Sequence, residues 1–127
     1  MLLRRLSLLL ALAWMAVLFY LSHQPTLETP ALFPGQDKLF HALAYGVLGF
    51  LLLGSWAPAT DGFNAMQIRS SILIGSLYGL SDEFHQYFIP GRSSDMWDWV
   101  ADTLGVVIAV LLLAWLSRKW KSAVVVS

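Results

Sequence analysis

DMWDWVADTLGVVIAVLLLAWL, residues 95–116, is the stretch whose reading decides the fold. Its first turns carry Asp95, Asp98 and Asp102, and from Leu104 to Leu116 it is apolar throughout. A helix needs about 20 largely apolar residues to cross a bilayer, and this run has that length. Polar and apolar residues do not alternate with period two, which argues against a strand. Arg118, Lys119, Trp120 and Lys121 follow at once. Basic and aromatic residues gather where a span meets the membrane interface. The span is expected over about 95–117.

Upstream lie three more runs of this kind. The third is expected over about 68–88, apolar first and polar in its last third, and the second over about 38–56. The first covers about 6–22 and follows Arg4-Arg5, as a signal peptide would. The run ends in Phe19, Tyr20, Leu21, Ser22 and His23, which are bulky where cleavage requires small residues. A retained helix is therefore expected. Residues 24–36 hold Pro25, Pro30, Pro34 and Gly35 and read as a loop. Ala57-Pro58-Ala59-Thr60-Asp61-Gly62 and Pro90-Gly91 read as turns. The chain is predicted to be all-α: one domain over residues 1–127, a polytopic four-transmembrane-helix bundle.

Composition agrees. Of 127 residues, 57% are hydrophobic and 13% charged. A soluble domain carries about 25% charged residues. Half that charge cannot coat a surface in water, so lipid must cover much of this one. The formal net charge is zero, which gives no sign of a nucleic-acid partner. The absence of cysteine excludes a disulfide framework, a thiolate metal site and a cysteine nucleophile.

Orientation follows from the basic residues. With the N-terminus cytoplasmic, Arg4, Arg5, Arg69, Arg118, Lys119 and Lys121 lie inside, and Lys38 and Arg92 outside. Four spans then put both termini in the cytoplasm, in a multi-pass protein of the cytoplasmic membrane. Glu28, Asp37, Asp82, Glu83, Asp95, Asp98 and Asp102 fall on the outer side, with His23, His41 and His85; Asp61 falls inside. Several of these acids lie within spans, where a charge costs up to ~2.5–3.5 kcal/mol on insertion scales. Such residues usually face the bundle and find partners. The inner halves of the helices lack ionisable residues, which speaks against a proton or ion relay.

Helical phase sorts the polar residues. At about 100° per residue, Asp95, Asp98 and Asp102 fall within about 60° of one another. Lys38, His41 and Tyr45 form a second stripe, with Gly49 one turn deeper. The third span carries two stripes, Ser76-Gly79-Glu83-Gln86 and Tyr78-Asp82-His85, and its phase alone does not say which faces inward. Arg92, on the short loop that follows, is expected to fold back on a carboxylate as a bidentate pair.

Three stretches carry a family resemblance: Asp37-Lys38-Leu39-Phe40-His41-Ala42-Leu43-Ala44-Tyr45, residues 81–92 (SDEFHQYFIPGR), and Asp98-Trp99-Val100-Ala101-Asp102-Thr103-Leu104-Gly105. Together they resemble the VanZ-like family of bacterial membrane proteins, over about residues 35–112. The resemblance implies a compact four-helix membrane bundle and, through the family's namesake, low-level resistance to the glycopeptide teicoplanin. Its matching polar positions are Asp37, Lys38, His41, Tyr45, Asp82, Glu83, Gln86, Arg92 and Asp98. Where the family usually has Asn, this chain has Asp102. The added carboxylate raises local negative charge, strengthens cation binding, or is protonated.

The expected ligand site is Lys38, His41, Tyr45, Asp82, Glu83, Gln86, Arg92, Asp98 and Asp102. Its expected ligand is an amphiphile at the outer face: a membrane lipid headgroup, a lipid-linked cell-wall intermediate or a lipoglycopeptide. No metal and no cofactor is expected, because His41 and its carboxylates read first as a hydrogen-bonded network. The alternative is an intramembrane enzyme, metal-assisted or not, acting on a lipid headgroup through Glu83, His41 and Asp98. Whether the site does chemistry is left open. Ser81, Ser93 and Ser94 lack a hydrolase context, and Ser93-Ser94-Asp95 reads as a helix cap. Trp56, Trp97, Trp99, Trp115 and Trp120 sit near span ends, as an aromatic belt would.

Overall fold

In a computed structural model, residues 1–25, 30–58 and 62–125 are described, with side chains as far as Trp120. Glu28, Asp61 and the Lys121 side chain lie outside the described residues. Four helices follow one another: α1 Leu2–Ser22, α2 Gln36–Gly54, α3 Ala65–Gln86 and α4 Met96–Val125. α1 is built from leucine and alanine, strong helix formers. α3 begins in a reciprocal cap: Asn64 Oδ1 accepts from the Gln67 N–H, and Gln67 Oε1 accepts from the Asn64 N–H, both at 2.9 Å. Asp95 immediately precedes α4, and its Oδ1 accepts from the Trp97 N–H at 2.9 Å.

The first three helices start and stop within a few residues of the expected spans. α4 runs well past its expected end. Arg118 and Lys119 end a membrane span, but both are good helix formers, and neither glycine nor proline follows. The helix therefore continues beyond the apolar stretch.

α1, α2 and Met96–Trp120 of α4 are long and apolar enough to cross a membrane. α3 has 22 residues but a more polar composition. Its polar groups point inward: Gln67, Ser71, Asp82, Glu83 and Gln86 are buried, while Met66, Leu73, Leu77 and Phe84 are exposed. A protein in water shows the reverse arrangement. An apolar exterior around buried polar groups is what lipid demands. The fold is a four-helix membrane bundle.

α2 packs against α1, α3 and α4, most extensively against α4. The α2–α4 contact is backbone-close. A Cβ on Gly105 would strike the Ala42 carbonyl, and one on Gly49 would lie 2.9 Å from the Val106 carbonyl oxygen. Membrane helices associate through such small-residue surfaces. Tyr45, Leu48, Leu53, Val106 and Val110 fill the core beside this crossing.

Candidate functional site

The close α2–α4 approach aligns two stripes turn by turn. Lys38, at the start of α2, meets the start of α4: Nζ lies 2.8 Å from Asp95 Oδ2, pairs with Asp98 Oδ1, and also reaches its neighbour Asp37 at 2.8 Å. One turn deeper, His41 Nδ1 lies 2.8 Å from Asp102 Oδ1, and Nε2 is 3.7 Å from Asp98 Oδ2. One turn deeper again, the buried Tyr45 packs beside Gly79 of α3. Gly79 also lets Asp102 approach α3: a Cβ there would sit 3.0 Å from Asp102 Oδ2. Asp95 stands just outside α4, and the Lys38 ammonium, with the Trp97 N–H, holds its carboxyl below the ordinary carboxylate value.

α3 closes the site with both of its stripes. Glu83 faces the start of α4, where Oε2 accepts from the Asp95 N–H at 2.9 Å and from Ser94 Oγ at 3.4 Å. Ser76 bonds Thr103 of α4 on the same side, at 2.8 Å. The other stripe turns toward α1. There Tyr78 donates to the Met15 carbonyl at 2.6 Å, and His85 Nε2 lies 3.1 Å from His23 Nδ1. Asp82 is buried too, with Gln86 Nε2 at 3.5 Å from its Oδ2. The question of which stripe faces inward thus has two answers, because α3 has neighbours on both sides.

A cavity of about 130 Å³ opens beside this network. Leu18, Leu21, Ser22, Phe40 and Ala44 form one part of its wall, and His41, Tyr45, Asp82, Gln86 and Arg92 the other. The turn that delivers Arg92 has Pro90 at its second position and Gly91 at its third, with φ 82°. The Arg92 N–H donates to the Ile89 carbonyl at 3.1 Å. This is the type II pattern that requires glycine. Among the described residues the Arg92 guanidinium forms no hydrogen bond or ion pair, so the expected bidentate pair is not made.

The nine site residues expected from sequence thus gather at one end of the bundle, in two linked parts. Lys38, Asp98, His41, Asp102 and Glu83 form a network between α2, α3 and α4. Tyr45, Asp82, Gln86 and Arg92 line the cavity with His41. Several contacts were not legible in the sequence. Trp99 does more than sit in a belt: its indole donates to the Ser76 carbonyl at 3.0 Å. Trp14 donates to the Ala44 carbonyl at 2.8 Å. Both tryptophans are half-buried, and an indole N–H away from water needs an acceptor. The His23–His85 pair joins residues far apart in sequence and had no local signal. Ser81 is exposed and donates to the Tyr78 carbonyl rather than to His85.

A sequence model of the VanZ/LLP1 family matches residues 7–117. The match takes in most of α1, which the three motif stretches left out. No curated protein and no solved structure matches the chain at a significant level.

Proposed function

Since the chain belongs to the VanZ/LLP1 family, we propose that the polar end of this membrane bundle receives the charged headgroup of an amphiphile. The ligand is a phospholipid, a lipid-linked cell-wall intermediate or a lipoglycopeptide. The protein then has an accessory, glycopeptide-resistance-like role in the cell envelope. The distribution of basic residues supports a site at the outer face of the cytoplasmic membrane.

One observation carries the reading: the cavity has an apolar wall from α1 and α2 and a charged wall holding Arg92. An amphiphile needs both. The volume of about 130 Å³ sets the scale. A phosphate or ammonium group fits a space of this size. The linking phosphate or amine enters there. Arg92 meets a phosphate through its guanidinium fork, and Asp82 with Gln86 meets an amine. Lys38 plays a different part from the one expected: its ammonium is taken up by Asp37, Asp95 and Asp98 and holds α2 to α4.

The test is binding of phosphatidylglycerol, phosphatidylethanolamine and an undecaprenyl-phosphate-linked lipid to the purified protein, by native mass spectrometry and by titration. A charge-assisted hydrogen bond contributes ~1.5–3 kcal/mol, so Arg92→Ala is expected to weaken a phosphate-bearing ligand at least tenfold. The same variant is expected to abolish any change in glycopeptide susceptibility that the wild type confers. Unchanged binding in Arg92→Ala and Asp82→Asn alike rejects the cavity as the headgroup site.

A further inference from the structure

The geometry points to a divalent-cation site, which we propose is formed by His41 of α2, Glu83 of α3 and Asp102 of α4. The idea goes beyond the headgroup reading and reverses the expectation of a metal-free network. Each of the three residues offers a donor atom, and those atoms lie within 4.8 Å of one another. Three separate helices supply them, so the cluster exists only in the folded bundle.

Unpartnered atoms are the second, independent observation. Asp102 is fully buried and Glu83 is 2% exposed. Asp102 Oδ2 and Glu83 Oε1 are buried without a hydrogen-bond partner, and so is the adjacent Tyr45 hydroxyl. Buried polar atoms are nearly always satisfied, so several orphans in one place call for an absent group. Local charge gives that group its sign. Lys38 is held by Asp37, Asp95 and Asp98. Arg92 lines the cavity wall. Among the described residues, only the His41 imidazole stands against both Glu83 and Asp102. With a neutral imidazole, the pair of carboxylates carries two negative charges, which one divalent cation balances.

The His41 ring stands between two carboxylates of α4. One nitrogen faces Asp102 at 2.8 Å, and the other faces Asp98 at 3.7 Å. A metal-bound histidine commonly gives its second N–H to a carboxylate, which fixes the ring and its tautomer. Asp98 can take that part, and Lys38 holds Asp98 in place. One imidazole with two carboxylates suits Zn²⁺ or Mn²⁺ better than Ca²⁺, which prefers six to eight oxygens. His41 also lines the cavity, so a ligand there would lie close to the ion.

The experiment uses full-length protein with any affinity tag removed, in lipid-free detergent micelles. Metal is counted by mass spectrometry as purified, and chelator-treated protein is titrated with Zn²⁺ and with Mn²⁺. About one ion per chain is expected, with a raised melting temperature on loading. Glu83→Gln and Asp102→Asn are each expected to weaken binding at least tenfold and to remove the metal-induced melting shift. His41→Gln serves as a third variant if either carboxamide variant fails to fold. No stoichiometric ion in the wild type, or binding unchanged in folded variants, overturns the site. Because no lipid is present, that failure is separate from failure of the headgroup reading. The latter is tested by adding lipid to metal-loaded and metal-free protein.

Discussion

Trp14 donates its indole N–H to the Ala44 carbonyl at 2.8 Å, and Tyr78 donates to the Met15 carbonyl at 2.6 Å. Each acceptor is a carbonyl within a helix, and its second lone pair takes the side-chain donor. These bonds tie α1 to α2 and α3, and α1 in turn supplies part of the apolar wall of the cavity. Hydrogen bonds between membrane helices average ~0.6 kcal/mol and reach ~1.7, because the unfolded chain in lipid also finds partners. Trp14→Phe is therefore expected to cost ~0.6–1.7 kcal/mol, read by reversible unfolding in mixed micelles. A cost near zero would mean that α1 is held by apolar packing alone. Nothing in the sequence pointed to this bond, because thirty residues and a loop separate Trp14 from Ala44.

α3 is the element on which the site depends, and its sequence is the least apolar of the four. Glu83 and Ser76 reach α4, while Tyr78 and His85 reach α1. The helix must therefore start in a defined phase. The Asn64–Gln67 cap provides that, and the Gln67 amide also donates to the Ala57 carbonyl at 2.7 Å. Loss of an N-cap side chain typically costs ~1 kcal/mol. Asn64→Ala is expected to lower stability by about that amount, measured by thermal unfolding, and to leave headgroup affinity unchanged once folded. A loss of affinity without a loss of stability would contradict the assignment of Asn64 to the cap. The start of α4 divides its duties: Asp95 caps the helix and also meets Lys38, so one residue serves both the element and the network.

The bundle as a whole rests on the α2–α4 crossing. Lys38 can meet Asp95 and Asp98, and His41 can meet Asp102, only while the two backbones stay close. Gly105 sets that distance, because a Cβ there would collide with the Ala42 backbone. The obstacle is main chain, so no side-chain rotation relieves it. Gly105→Leu is expected to cost at least the ~1–3 kcal/mol usual for overpacking. It is also expected to abolish metal and headgroup binding together, although it touches neither ligand. Unfolding in micelles, measured beside the two binding assays, checks this. Wild-type stability in that variant would show that the helices can separate without harm.

Composition and the length of the apolar runs determined, without coordinates, that this chain is a four-helix membrane protein. A low charge content and runs of bilayer length leave few alternatives. Helical phase determined that Asp98 and Asp102 share a face, as do Lys38, His41 and Tyr45, since 3.6 residues per turn is a local property. The motif residues also led to the family. Only the tertiary structure decided the partners: Lys38 spent on three carboxylates, Arg92 left facing the cavity, and both stripes of α3 in use. Those outcomes depend on how closely and at what height the helices meet. Small residues at the crossings set that height, and no single helix's sequence specifies it. The cluster of His41, Glu83 and Asp102 is of the same kind, because its three donors come within reach only when α2, α3 and α4 are packed together.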